Sequence, residues 1–379
     1  EFFFFLCEQM NRAFHKNSNF WLIVVGCWLL DLKKILKIHH PTTDNQQQFL
    51  IFEKTKISML KAGLVGAGHL GKIHLRLLNQ SDKYELVGFY DADKENGKKL
   101  EAEFGYKYFE NFDELLNQVE MLDIVTPTIY HYDYAMKAIE KGLHFFIEKP
   151  VTKTLQEAEE ILYKCRENGI KAQVGHVERY NPAFIGAKDY IKNPMFIEIH
   201  RLAEFNPRGT DVSVVLDLMI HDLDILLSIV KSKVSNIHAS GVCVVSKTPD
   251  ICNARIEFEN GCVANLTTSR ISMKAMRKSR FFQQDAYISV DFLEKKAEVI
   301  RMKEAPEHPS DFDMIIENAD GEKNQIIFEY PNIQPNNAIL DELNSFADAI
   351  TENKNVEVSL EDGTEALKVA LEIMKLISK

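Results

Sequence analysis

The run Gly66-Ala67-Gly68-His69-Leu70-Gly71 constrains this chain more than any other stretch. It follows the apolar, β-favouring run Lys61–Val65 and opens His69–Asn79, whose apolar residues recur at helical spacing. A glycine triplet alone is a weak signal, but between a strand and a helix it has a mechanism. Gly66 permits the tight turn, Gly68 lets a pyrophosphate approach the backbone, and Gly71 allows close helix–strand packing. The helix N-terminus adds unpaired N–H donors and partial positive charge. Asp91 closes the second strand about twenty residues later, where a carboxylate accepts from ribose hydroxyls and repels a 2′-phosphate. The expected cofactor is therefore NAD rather than NADP.

The pattern around the motif is regular. Tyr84–Tyr90, Met121–Val125, His144–Ile147 and Lys171–Val174 read as buried strands. Asp93–Phe104, Tyr132–Lys141 and Leu155–Asn168 read as the helices between them. Such alternation implies a parallel, doubly wound sheet with crossover helices. Beyond Val177 the pattern changes. Phe196–Ala203, Val234–Val245, Cys252–Phe258, Cys262–Thr268, Ala286–Phe292, Ala297–Met302 and Gln325–Tyr330 read as strands, with Asn260-Gly261 as a hairpin turn. They imply a largely antiparallel sheet, open on one face and closed by helices at Leu340–Thr351 and Leu360–Ser378. The fold class is thus α/β plus α+β. Residues 59–177 are expected to bind the dinucleotide and residues 178–379 to bind substrate and form oligomers.

Residues 1–58 do not share this patterning. Phe20–Leu30 is apolar but about eleven residues long, where a membrane span needs about twenty. Arg12 and Lys16 precede it, as in a signal peptide, but Asp31, Lys33 and Lys34 follow with no small-residue cleavage site. The expectation is that Met59 starts the functional protein and that the leader is upstream translated or appended sequence; a targeting or anchor segment is the alternative. Composition narrows the partners. With 45 Lys and Arg against 56 Asp and Glu, the formal charge of −11 is a poor basis for nucleic-acid binding. No membrane span is expected. The six cysteines contain no CxxC pair and no zinc-like His/Cys cluster, so reduced thiols, a cytoplasmic location and no metal are expected.

Three constellations carry chemistry. Ile147-Glu148-Lys149-Pro150 ends a strand counted as the fifth, and ligands bind outside the carboxyl ends of such strands. Pro150 restricts Lys149 to extended backbone, and the bond between them can be cis. A lone lysine there is otherwise an ordinary solvated charge. Asp217 and His221, four residues apart, share one helix face. His221 is a candidate base titrating near neutrality, with Asp217 orienting it or contacting substrate and Asp224 as a further partner. Only one histidine is present, which disfavours a metal. Gly175-His176-Val177-Glu178-Arg179-Tyr180-Asn181-Pro182 follows the next strand and suits sugar or phosphate contacts, although Asn181-Pro182 can simply start a helix.

With these motifs in this order, the chain from Met59 to Lys379 resembles the glucose–fructose oxidoreductase / inositol dehydrogenase / MocA (Gfo/Idh/MocA) family. The resemblance implies that Lys149, Asp217 and His221 form the catalytic group. It implies that Thr126, Pro127, Thr128 and His131, in a loop counted after the fourth strand, lie beside the nicotinamide ribose, with Glu148 also at the cofactor. A homodimer or homotetramer through the open sheet is implied as well. Residues 174–182, 207–211, 215–224 and 260–270 further resemble a branch associated with lipid A sugar biosynthesis. Its type enzyme oxidises the 3-hydroxyl of UDP-N-acetylglucosamine, so that an aminotransferase can act on the ketone. A UDP-sugar would need anion contacts. Arg179, Arg201 and Arg208, with Tyr180, Asn181 and His221, are the expected substrate contacts. Arg270, Lys274, Arg277, Lys278 and Arg280 form a second basic cluster. Either group is otherwise a set of solvated or subunit-facing charges. His221 is expected to take the hydroxyl proton, Lys149 to stabilise the developing negative charge and Asp217 to fix geometry. The rivals are a dehydrogenase of a free polyol such as an inositol, and a non-catalytic NAD-binding regulator. The second has no use for acid–base groups at the nicotinamide.

Overall fold

Short apolar strands that each feed a crossover helix leave the chain only parallel pairing. The computed structural model describes residues 59–206, 212–310 and 312–378. The leader, Cys7, Cys27 and Arg208 lie outside the described residues. Five strands, β1 (Leu60–Val65), β2 (Tyr84–Tyr90), β3 (Met121–Ile124), β4 (His144–Glu148) and β5 (Ala172–Gly175), pair in parallel in the order β2-β1-β3-β4-β5. Between them run α1 (His69–Gln80), α2 (Lys94–Phe104), α3 (Phe112–Leu116), α4 (His131–Glu140) and α5 (Leu155–Asn168). Lys149 therefore follows the fourth strand and Thr126 the third, one fewer than the sequence count. A single parallel bridge between Phe89 and Tyr108 explains the difference. Counted as a strand, it restores the 3-2-1-4-5-6 order of a dinucleotide-binding sheet.

Local chemistry sets the helix ends. Asp93 caps α2 by accepting from Glu95 N and Asn96 N, and a Thr154–Glu157 capping box starts α5. By contrast α1 begins at Gly68 with no side-chain cap, leaving its first N–H groups for a ligand.

After α6 (Pro182–Lys188), the second sheet has nine strands: β6 (Phe196–Leu202), β7 (Val234–Val242), β8 (Ile251–Phe258), β9 (Val263–Ser269), β10 (Met276–Phe282), β11 (Ala286–Asp291), β12 (Lys296–Glu304), β13 (Met314–Glu317) and β14 (Lys323–Glu329). Their order is β13-β14-β12-β11-β10-β6-β9-β8-β7, antiparallel except for β6 beside β9. A π-helical turn, Val215–Met219, leads into α7 (Ile220–Ile229), which packs on the inner face. The outer face leaves Phe282, Met302, Met314 and Phe328 exposed. Two strands escaped the sequence reading. The first, β10, carries Arg277, Lys278 and Arg280, and its inward positions Arg277, Ser279 and Phe281 do not alternate cleanly in polarity. The second, β13, is a four-residue edge strand.

The last helices, α8 (Ala338–Thr351) and α9 (Leu360–Ile377), do not serve the second sheet alone. Leu343, Phe346 and Ala347 of α8 share a core with Leu64, Tyr84 and Phe146 of the parallel sheet. Gln173 Nε2 donates to the Glu342 carbonyl at 2.7 Å. Part of the segment expected to form the substrate domain thus completes the first domain. No helix among the described residues is long and apolar enough to cross a membrane. Phe346 is fully buried at this junction. Phe346→Ala should therefore cost about 3–5 kcal/mol in denaturant unfolding; an unmoved midpoint would show that α8 is not anchored there.

Candidate active site

The glycine loop is sterically tight at two of its three glycines. Gly66 has φ +94°, and a Cβ there would lie 2.8 Å from Thr126 N. A Cβ on Gly71 would lie 2.0 Å from Gly66 O, so α1 docks directly on the loop. A Cβ on Gly68 would meet nothing within 4 Å, which marks the open side of the loop. Asp91 Oδ2 accepts from Ala67 N at 2.7 Å and Oδ1 from Asp93 N at 2.8 Å. The carboxylate is thereby held at the loop with lone pairs to spare. These groups line a cleft of 620 Å³ that runs past His69, Leu70, Thr126 and Pro127 to Glu148 and Lys149. An uncapped helix start, an empty glycine face and a fixed carboxylate suit a dinucleotide with a free 2′-hydroxyl.

Thr128 opens a short 3₁₀ turn rather than lining the cleft. His131 is buried, with Nε2 2.8 Å from Thr126 O and Nδ1 3.0 Å from Pro150 O. It ties the loop after β3 to the segment after Lys149 rather than facing the cofactor cleft. Burial lowers its pKa despite those carbonyls.

The Lys149–Pro150 peptide is cis. Lys149 Nζ donates to the Asp217 carbonyl at 2.8 Å and lies 3.7 Å from Asp217 Oδ1. Burial lowers the lysine pKa, and the charges of Asp217 and Glu148 oppose that shift. His221 sits in the first turn of α7, its Nδ1 buried without a hydrogen-bond partner and its ring edge-on to His176 at 6.3 Å. Burial, reinforced by the charges of Lys149 and Arg201, drives its pKa well below 6.5. The expected titration near neutrality is corrected: burial and the neighbouring cations favour the neutral imidazole. Asp217 does not hydrogen-bond it, because the π turn directs Asp217 to Lys149. Asp224 does not partner it either, being bound to Arg179. Lys149, at one end of the cleft, is near enough to depress the His221 pKa, and a neutral imidazole with an ammonium is a pairing that can remove a proton and stabilise negative charge on one oxygen.

The expected anion clamp is mostly committed elsewhere. Arg179 forms a two-pronged pair with Asp224 at 2.7 and 2.8 Å. Arg201 is buried, paired with Asp222 at 2.8 Å through two donors and with Glu178 at 3.0 Å. Tyr180 Oη bonds Ser345 Oγ, and Asn181 caps α6. These four are internal contacts, because burying a guanidinium or amide requires partners that the sequence order does not reveal. In the second cluster, Arg270 donates to the Val212 carbonyl at 2.6 Å. Strand alternation turns Lys278 and Arg280 outward and places Arg277 inward, directly opposite Arg201. The Arg277 side chain stays 48% exposed, with only a 3.5 Å contact to Glu178. Tyr130 and Tyr134, which also line the cleft, were not singled out from the sequence. Nor were His74, Asp123 and Glu342, buried behind Glu148; the available signal was an ionisable residue, His74, on the apolar face of α1.

The family described as "Oxidoreductase family, NAD-binding Rossmann fold" matches residues 60–176, and the GFO/IDH/MocA C-terminal domain matches residues 198–286. The chain belongs to the Gfo/Idh/MocA family. It is an NAD-dependent dehydrogenase acting on CH–OH groups. It is 36% identical over 243 residues to a UDP-N-acetylglucosamine 3-dehydrogenase of Acidithiobacillus ferrooxidans, covering 62% of this chain and 74% of that one. A scyllo-inositol 2-dehydrogenase (NAD⁺) of Bacillus subtilis is 28% identical over 56% of this chain and 68% of its own. Among solved structures, UDP-N-acetylglucosamine 3-dehydrogenase GnnA from A. ferrooxidans superposes with a TM-score of 0.76 at 30% identity, covering 84% of this chain and 98% of GnnA.

As a Gfo/Idh/MocA member, the chain should separate two glycine substitutions. Gly68→Ala should fold with an unchanged melting temperature yet weaken NADH binding about tenfold or more, about 1.4 kcal/mol. Gly71→Ala should lose both stability and binding, since its methyl meets backbone at 2.0 Å. Thermal melts with NADH fluorescence titration read both.

Proposed function

We propose that the protein oxidises the 3-hydroxyl of UDP-N-acetylglucosamine to the 3-keto sugar. The observation that carries the chemistry is Lys149 at the end of the cleft that begins at the glycine loop, bound to Asp217 and lowering the pKa of His221 one helical turn on. The name and 36% identity of the A. ferrooxidans relative support the substrate.

Gly66, Gly68, α1 and Asp91 would hold NAD, with Thr126 and Pro127 along its path. When bound, NAD supplies the hydride acceptor. His221 takes the hydroxyl proton; with Nδ1 buried, Nε2 is the assigned acceptor. Lys149 Nζ donates to the same oxygen and stabilises its negative charge. The Asp217 carbonyl aims Nζ, and its carboxylate favours the ammonium. Arg277, inward-facing and half exposed, is the anion contact for the diphosphate. In this reading the ketone passes to a sugar aminotransferase on a cytoplasmic route toward lipid A. The exposed apolar side chains of the outer sheet face form the contact in a homodimer or homotetramer.

The engagement of Arg179 and Arg201 favours one second reading, oxidation of an uncharged polyol such as an inositol. NADH formation from NAD with a panel of UDP-sugars and free polyols, with a carbonyl trap, tests both. Signal with UDP-N-acetylglucosamine alone supports the first; signal with a polyol alone replaces it. Arg277→Ala should raise the KM for the UDP-sugar about tenfold or more, as lost charge-assisted hydrogen bonds cost about 1.5–3 kcal/mol. Lys149→Ala and His221→Ala should each lower kcat about 10²–10⁴-fold with NADH affinity nearly unchanged. The pH profile of kcat/KM should keep its acid limb well below 6.5, because His221 must be neutral to accept the proton. Its alkaline limb should fall below 10.5, because Lys149 must be protonated to donate.

A further inference from the structure

Behind Lys149 lies a buried polar cluster that this chemistry does not use. His74, on the inner face of α1, is fully buried. Its Nδ1 lies 2.9 Å from Asp123 Oδ2 on β3, and its Nε2 lies 3.5 Å from Glu148 Oε1 at the end of β4. The first distance is a hydrogen bond and the second is ion-pair reach. Glu148 Oε2 in turn accepts the backbone N–H of Lys149 at 3.1 Å. Gly175, ending β5, makes room for that carboxylate: a Cβ there would lie 2.8 Å from Glu148 Oε1. The Phe146 ring packs edge-on to His74 at 5.8 Å.

Both ring nitrogens of His74 face carboxylate oxygens. A neutral imidazole carries one N–H, so only the imidazolium presents a proton to each side. The buried Asp123 carboxylate beside the Glu148 carboxylate at the cleft end would be costly without a cation between them, and His74 supplies one. The other ionisable groups packed around the cluster are Tyr84 on β2 and Glu342 on α8, both buried. Glu342 Oε2 has no hydrogen-bond partner, and burial beside Glu148 and Asp123 pushes its pKa well up. The pKa of His74 is raised by Asp123 and Glu148 against the opposing effect of burial.

We propose that His74 is a positioning residue for Lys149: held as an imidazolium between Asp123 and Glu148, it keeps Glu148 ionised, and Glu148 fixes the Lys149 backbone and favours its ammonium form. The chain of effect is Asp123 to His74 to Glu148 to Lys149. It rests on the reading of Lys149 as the protonated donor. Removing the imidazolium lets Glu148 take up a proton, so the lysine loses a neighbouring anion and deprotonates at lower pH.

The test is the alkaline limb of kcat/KM in the full chain. His74→Gln and Asp123→Asn should each move that limb down by about one pH unit, with NADH affinity retained. A merely structural role would lower stability and leave the limb in place, which would overturn the proposal. Lys149→Arg serves as the control, since arginine stays protonated. If it removes the limb while His74→Gln and Asp123→Asn do not shift it, only this inference falls. If it leaves the limb untouched, the reading of Lys149 falls and this inference with it. ¹⁵N NMR of histidine-labelled wild-type protein gives a readout that needs no folded variant. A doubly protonated His74 ring at pH 7 is expected, and a neutral ring overturns the proposal.

Discussion

The contact between Lys149 Nζ and Asp217 spans 68 positions in sequence and joins the two halves of the site. Lys149 leaves the parallel sheet at the carboxyl end of β4, where ligands of such sheets lie. Asp217 sits in the π turn that enters α7 beneath the second sheet. A largely buried ammonium needs acceptors, and a carbonyl and a carboxylate from one residue provide them. That need ties the π turn before α7 to the end of β4. His221 is consequently placed where burial and nearby cations keep it neutral. The downward pKa shift of the histidine and the acceptors held by the lysine are two results of one arrangement.

The same electrostatic economy governs the arginines. Glu178, Asp222 and Asp224 engage Arg201 and Arg179 under the active site. Buried ion pairs add little net stability, because desolvation offsets their attraction. Their geometric effect is plainer: Arg201 on β6 pins Asp222, the neighbour of His221, so the second sheet positions α7. The second domain thus also has a positioning role. It sets the orientation of the helix that carries the histidine. α8 works in the opposite direction, returning Leu343 and Phe346 to the core of the first sheet and placing Glu342 behind Glu148.

Much of this was legible in residue order. Glycine spacing, strand–helix alternation and the proline after Lys149 are local features, and local sterics decide them whatever the rest of the chain does. Gly66 and Gly71 meet the steric demands read from the sequence, Gly68 faces open space, and Asp91 stands at the loop as its position at a strand end suggested. The switch to a second, largely antiparallel sheet was legible for the same reason, although β10 hid behind its arginines and lysine.

Counter-ions and burial were not legible. Arg179, Arg201, Tyr180 and Asn181 looked like ligands because a sequence shows a donor without its acceptor, and their acceptors arrive from other elements. That Arg277 rather than Lys278 faces inward is a matter of strand register, which pairing with β6 decides. His221 carries a neighbour's field that no one-dimensional spacing contains. His74, Asp123 and Glu148 converge only when α1, β3 and β4 stack. Residue order alone determined the glycine loop, the parallel sheet and the candidate lysine, aspartate and histidine. Tertiary structure alone decided which charges are paired and which protonation states those groups hold, because desolvation and Coulomb interactions depend on distances in space.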